Sequence, residues 1–250
     1  MKKILFPMMM MAATTTQAFA DVNGVDGVIG EDERVQITSQ NKAPIYNSIG
    51  LLLLRFGNGY ATCTGTVVGP RHVITAAHCL VDEDAKLEEV TFIPGVKDSP
   101  SNTRAPFGVF NSVNVVIPKA YSITPETEFD VGLIKLDRDL PVPSLPIAVA
   151  PHMRIRPVFT IAVAGYPGDK ETGTMWESKR SISLKFAFDE YGHDLDTVAG
   201  MSGSAMRIND SVIGIHSSGS TDKQGNYVKN NAKFFSEADV KILNEWIREL

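Results

Sequence analysis

Residues 73–79 read Val-Ile-Thr-Ala-Ala-His-Cys. Val73 to Thr75 is a short apolar run of the kind that forms a β-strand, and it delivers a histidine and a cysteine together at its end. Working outward, the same texture repeats. Ile49 to Phe56, Thr66 to Val68, Val90 to Ile93, Val113 to Ile117 and Val131 to Leu136 are further strand runs, and Gly57-Asn58-Gly59, Gly69-Pro70 and Pro94-Gly95 punctuate them with turns. Pro141, Pro143, Pro146, Pro151 and Pro157 come next. Proline cannot donate to a ladder, so 141–157 reads as a linker. Beyond it Val158 to Ala164, Lys179 to Phe188, Ala205 to Ile208, Val212 to His216 and Asn231 to Phe234 again read as strands. One helix is expected, with Ser236 as N-cap and Val240, Leu243, Ile247 and Leu250 on one face. Two strand-rich halves and a terminal helix predict an all-β architecture of two barrels or sandwiches.

Composition excludes several functions. The chain has 250 residues, 43% of them hydrophobic and 21% charged, with a formal net charge of −5. No basic stretch tracks a phosphate backbone, so no nucleic-acid partner is expected. Outside the first twenty residues no apolar run approaches the ~20 residues needed to cross a bilayer. Within them, Lys2 and Lys3, the apolar stretch Ile4 to Ala13 and Ala18-Phe19-Ala20 have the layout of a cleaved secretory signal. The methionines Met8 to Met11 fall in its apolar region. Export sets the redox context. Cys63 and Cys79 are the only cysteines, and in an oxidising compartment they most simply pair. With only His72 and His78 nearby and no CxxC pair, neither zinc nor any other metal or cofactor is expected. Asp82-Glu83-Asp84 lacks the ligand pattern of a calcium loop and reads as a solvated acidic loop. His72, His152 and His193 have no evident chemical partner and are expected to be solvated.

Three segments carry chemistry: Thr75 to Cys79, Phe129-Asp130-Val131-Gly132-Leu133-Ile134, and Gly200-Met201-Ser202-Gly203-Ser204. Each alone has a bland reading as a turn or loop. Together they supply a nucleophile, a base and an orienter. A serine hydroxyl is a weak nucleophile at neutral pH, and an imidazole of pKa ~6.5 can take its proton as attack begins. A carboxylate behind the imidazole fixes its tautomer. The candidates are Ser202, His78 and Asp130. Glycines around Ser202 allow a tight turn that aims the Gly200 and Ser202 amides at an oxyanion.

These segments resemble those of trypsin-like serine proteases, with Cys63-Thr64-Gly65-Thr66 and Gly69-Pro70 fitting the histidine segment. Within that superfamily the chain is most similar to the bacterial glutamyl endopeptidases. The likeness rests on Val28 to Arg34, Gly165 to Lys170, Thr174 to Ser178 and Val212 to His216, and it covers Val28 to Leu250. It implies two antiparallel Greek-key β-barrels with the active site between them and a C-terminal helix. The implied segments are a signal peptide 1–20, a short propeptide 21–27, a first barrel 28–140 carrying His78 and Asp130, the linker 141–157, a second barrel 158–235 carrying Ser202, and the helix 236–250. It implies a secreted zymogen, extracellular or held in a periplasm, that matures with the help of a processing protease. The mature enzyme is expected to be a monomer that cleaves protein or peptide substrates after glutamate and less readily aspartate. His216 and Thr197 match the residues that hold the glutamate side chain, and Val28 would add the α-ammonium of the mature chain. A buried carboxylate needs such charged or hydrogen-bonding partners. Two departures stand out. Met201 replaces a polar residue, an aspartate in trypsin-like zymogens, that pairs with the new N-terminus. Ser217 stands where the side chain is often bulkier, which predicts a more open groove. The competing reading is a catalytically silent or single-target, toxin-like protein on the same scaffold.

Overall fold

The computed structural model describes residues 27–57, 59–98, 105–151, 158–183 and 192–250. The expected signal 1–20, the propeptide through Asp26, and His152 and Pro157 lie outside the described residues. The strands are Val35–Ile37 (β1), Ile49–Phe56 (β2), Gly59–Gly69 (β3), His72–Thr75 (β4), Leu87–Pro94 (β5), Phe110–Val116 (β6) and Gly132–Leu136 (β7), then Val158–Gly165 (β8), Met175–Ser183 (β9), Gly192–His193 (β10), Ala205–Ile208 (β11), Ser211–Thr221 (β12) and Tyr227–Phe234 (β13). A short helix, Lys119–Ile123 (α1), lies in the first half, and Glu237–Glu249 (α2) ends the chain.

Strands β2-β3-β4-β7-β6-β5 close into an antiparallel barrel, β5 returning to β2. The other half is a seven-stranded sheet in the order β1-β9-β8-β11-β12-β13-β10. The expected all-β, two-part design with a C-terminal helix is thus present. Side chains alternate across a strand, and β2 shows what that does here. Leu52, Leu54 and Phe56 fill the barrel. Ile49 and Leu51 on the opposite face pack with Ile37, Val96, Ala164, Tyr166 and Met175, joining the barrel to the second sheet. Leu53, further along that face, is exposed. An almost continuous apolar run is needed because both faces are covered over the first half of the strand. Each buried side chain contributes ~1.5–3 kcal/mol over leaving it in water.

Helix α2 begins with a capping box: Asp239 N donates to Ser236 Oγ, and Ser236 N donates to Asp239 Oδ2 at 2.8 Å. Its face Val240, Leu243, Ile247 and Leu250, with Trp246, packs into the core of the first barrel although the helix follows the second sheet in sequence.

Three assignments differ from the expected segments. β1 lies within 28–140 but pairs with β9 of the second sheet, Gln36 opposite Trp176. Three residues with only Ile37 buried are too short to display a period. The described part of the linker, 141–151, is laced into the body: Leu145 N donates to Val67 O at 2.8 Å, Ala148 N to Val212 O at 2.9 Å, and Ala150 N to Phe235 O at 2.8 Å. Pro146 falls between the first two of these donors, Pro141 and Pro143 precede them, and Pro151 follows the last. His72, expected to be solvated, is 6% exposed on β4, flanked by β3 and β7.

Candidate active site

Strand β4 ends at Thr75, and Ala77–Cys79 form a 3-10 turn. The Cys63–Cys79 disulfide ties this turn to β3. It closes a loop with a sequence separation of 16, for which chain entropy predicts ~3 kcal/mol. A Cys63→Ala/Cys79→Ala variant is therefore expected to lose about 3 kcal/mol of unfolding free energy in urea. No loss would show that the turn is held by packing alone. The Cys63, His78 and Cys79 ligand atoms lie within 4.8 Å of one another, but the disulfide leaves no thiolate to bind a metal.

Asp130 ends another 3-10 turn, Thr127–Phe129, just before β7, and is 2% exposed. It holds His78 twice. The His78 amide donates to Oδ1 at 2.9 Å, and the ring Nδ1 lies 2.7 Å from Oδ2. Ser217 Oγ, from β12, also donates to Oδ2 at 2.5 Å. Burial by itself would raise the Asp130 pKa, but the His78 charge, its two hydrogen bonds and Ser217 hold the carboxyl below its ordinary value. The carboxylate is therefore ionised and fixes Nδ1 of His78 as a donor, leaving Nε2 free of a proton and able to accept one.

Ser202 lies in the tight loop before β11, where Gly200 and Gly203 have φ of 92° and 81°. That conformation favours glycine, and close contacts reinforce it. A Cβ on Gly203 would fall 2.0 Å from Thr75 Oγ1, and one on Gly200 2.5 Å from Tyr166 O. The loop is pinned to the first barrel through Thr64. Thr64 N donates to Ser202 O at 2.9 Å, Thr64 Oγ1 donates to Gly200 O at 2.9 Å, and Thr64 O accepts from Thr75 Oγ1 at 2.9 Å. Three residues after Thr75 comes His78, so the same contacts that seat the serine loop locate it against the histidine turn. Met201 is fully buried in the second core with Ile161, Val163, Leu195, Met206, Ile213 and Ala232. Where trypsin-like zymogens carry an aspartate, an apolar anchor holds the middle of the loop.

His216 is stitched to this loop by two backbone bonds: Gly203 N donates to His216 O at 3.0 Å, and His216 N donates to Ser204 O at 2.9 Å. Its side chain is fully buried, with Nδ1 3.3 Å from Nε2 of His193. His193, expected to be solvated, is 2% exposed. The short pairing of β10 with Asn230 and Asn231 of β13 brings it inside. Thr197 is fully buried, and its Oγ1 has no hydrogen-bond partner among the described residues. The N-terminal stretch reaches the same region. Asn230 Oδ1 accepts from Gly27 N at 3.1 Å, and Asn230 Nδ2 donates to Gly27 O at 2.8 Å and to Leu195 O at 2.9 Å. Asp196 accepts from Ile29 N at 2.9 Å and Glu33 N at 2.8 Å. Val28, between these bonds, is half-buried.

Ser217, Asp196, Asn230, Thr64 and His193 are the residues that spacing alone missed. Ser217 does not simply widen a groove: it is 4% exposed and its hydroxyl is spent on Asp130.

Burial lowers the pKa of both His72 and His193, assisted by Lys135 and Arg71 around His72 and by His216 beside His193. Each ring therefore takes up a proton less readily when folded than an unfolded histidine, which titrates near ~6.5. As pH falls below about 6.5 the unfolded chain binds protons that the folded chain refuses, so stability falls with pH and is regained above that value. The urea midpoint is expected to be lower at pH 5.5 than at pH 7.5, and the difference to shrink in His72→Gln. A midpoint that is flat across this range contradicts the assignment.

Comparison with known proteins follows the same lines. A family model described as trypsin matches residues 37–247. The glutamyl endopeptidase of Bacillus licheniformis is 28% identical over 184 residues, 73% of this chain and 55% of that protein's own length. A Bacillus subtilis protein named extracellular metalloprotease is 28% identical over 226 residues, covering 84% of this chain and 69% of its own. A solved structure of a Glu endopeptidase in complex with MPD superposes with a TM-score of 0.72 at 28% identity, covering 88% of this chain and 99% of that one.

Proposed function

The chain belongs to the trypsin family of serine endopeptidases, and from that premise we propose that it is an exported endopeptidase that cleaves after glutamate and less readily after aspartate. The observation that carries the catalytic part is the double hold of buried Asp130 on His78, beside a serine loop locked in place through Thr64. In this reading Ser202 Oγ attacks the scissile carbonyl carbon while His78 Nε2 takes its proton. Asp130 stabilises the resulting imidazolium, and the Gly200 and Ser202 amides receive the oxyanion. The tetrahedral intermediate collapses as His78 returns the proton to the departing amine. Water then attacks the acyl-enzyme by the same route.

Glutamate preference is supported by the buried His216 imidazole and by the Thr197 hydroxyl, which has no hydrogen-bond partner among the described residues; both can donate to a desolvated carboxylate. Val28 completes the pocket with its α-ammonium once residues 21–27 are removed. The bonds at Ile29 and Glu33, which fasten this stretch to the second sheet and survive that cut, support that role. Export is supported by the signal-like first twenty residues and by the word extracellular in the name of the Bacillus subtilis relative. That relative's name also suggests metal dependence. Among the described residues the one group placed like a metal site has its two sulfurs in the disulfide.

The test is titration of the processed protein with a serine-directed fluorophosphonate. Stoichiometric labelling on Ser202, blocked by a glutamyl peptide aldehyde, is the expected result. A correctly processed protein that takes no label would instead favour the silent scaffold.

A further inference from the structure

Met201 cannot pair with a charged chain terminus, yet the serine loop is braced from outside by another route. Residues 199 and 200 turn against the segment Gly165–Lys170. Gly168 N donates to Ala199 O at 2.7 Å, and a Cβ on Gly200 would lie 2.5 Å from Tyr166 O and 3.2 Å from Gly168 N. This wall is therefore in direct contact with the turn that aims the Gly200 and Ser202 amides. The next residue along it, Asp169, is gripped by the N-terminal stretch. Arg34 Nη1 and Nη2 donate to Asp169 Oδ1 and Oδ2 at 2.9 and 2.6 Å. The Arg34 side chain is fully buried, and its Nε and Nη2 also reach both oxygens of Asp32 at 2.8 and 2.9 Å. Lys170 Nζ donates to Asp32 Oδ2 at 2.8 Å and lies over the Trp176 ring. Two carboxylates and two cations thus balance, and bidentate guanidinium–carboxylate pairing fixes direction as well as distance. A buried guanidinium held along two edges is not the exposed pair that contributes little.

We propose that Arg34 and Asp169 are positioning residues for the oxyanion amides, acting through the 165–170 wall on Ala199 and Gly200. This rests on the reading of Gly200 and Ser202 as oxyanion donors. The stretch from Ile29 to Arg34, which processing leaves in place, then works as one clasp. Asp196 holds Ile29 and Glu33 one residue before Thr197, and Asp169 holds its end next to the oxyanion turn. Docking of this stretch couples the specificity region to the catalytic loop, in place of an ion pair at position 201. Removing an oxyanion donor outright costs 10²–10³ in kcat, and tilting one costs less, about tenfold.

The experiment uses the processed full chain, with Asp169→Ala as the main variant because that side chain is 43% exposed and its loss leaves no cavity. Asp169→Asn keeps one acceptor and serves as the graded control. With a chromogenic peptide ending in glutamate p-nitroanilide, kcat is expected to fall about tenfold in Asp169→Ala with KM within about twofold, and Asp169→Asn to recover part of the loss. Affinity for a glutamyl peptide aldehyde, whose hemiacetal oxygen occupies the oxyanion site, should fall in parallel with kcat. Affinity for the uncleaved peptide, read in the Ser202→Ala background, should not change. A merely structural role would not split these two affinities. Unchanged kcat and aldehyde affinity, or a loss confined to KM, overturns the clasp while leaving the parent reading intact. A wild-type protein that is not phosphonylated on Ser202 overturns both. A drop in melting temperature matched by equal loss of both affinities also overturns it, because the effect would then be on folding.

Discussion

Replacing Ser202 with alanine is expected to lower kcat by about a million-fold, with the residual rate set by binding and the oxyanion amides alone. The size follows from how the three groups act. Asp130 prepares His78 by fixing Nδ1 as a donor, and His78 has no proton to take unless Ser202 attacks. Removing the nucleophile removes the whole covalent route. The fold should be unaffected. The backbone contacts that seat the loop, Thr64 N to Ser202 O and Gly203 N to His216 O, do not involve the side chain. Substrate affinity, measured on the inactive variant, should stay within a few-fold of the wild-type KM. Activity above about one per cent of wild type would mean that another group is the nucleophile.

The second large effect is at Asp130. Asp130→Asn is isosteric but is expected to cost about 10,000-fold in kcat near neutral pH. The carboxylate accepts three hydrogen bonds, from the His78 amide, the His78 ring and Ser217 Oγ. An asparagine offers one acceptor oxygen and two donors. With the oxygen kept by the His78 amide, the NH₂ faces His78 Nδ1, which must then accept. The proton moves to Nε2, and the base toward Ser202 is lost. Ser217 can turn its hydroxyl to accept, so the variant should fold. Wild-type activity should fall in acid as the imidazole is protonated, whereas the variant should be depressed throughout the neutral range because its tautomer is wrong. A loss of less than about tenfold at pH 7 would show that Asp130 only holds the turn.

These residues were legible in different degrees. β11 has the bounds that its apolar run predicts, and β2 matches residue for residue, because burial on both faces writes a continuous run. β3 begins seven residues before its apolar run. Gly59 to Gly65 carry polar and small side chains whose strand character comes from pairing with β2 and not from a period. β1 and β10, three and two residues long, exist only through the strand beside each. His78, Asp130 and Ser202 stood out because each sits in a short segment with its own texture. Ser217 did not, because a hydroxyl after a strand histidine has no signature until Asp130, 87 residues away, is folded against it. The burial of His193 is hidden for the same reason: nothing in a polar loop announces a two-residue strand beside Asn230. The Arg34–Asp169 pair spans 135 positions, and long-range pairing of that kind is set by topology, which local pattern does not contain. Met201 was legible as a departure, but its place in an apolar core was not.

The central claim joins a catalytic serine to an acid-selective pocket, and a mass-spectrometric map of cuts in an unfolded protein tests both at once. The processed wild-type chain and Ser202→Ala would be compared on the same substrate. The expected result is cuts concentrated after glutamate, a minority after aspartate, and none with Ser202→Ala. Cuts spread over other residues, or a glutamate pattern that persists in Ser202→Ala, would contradict it.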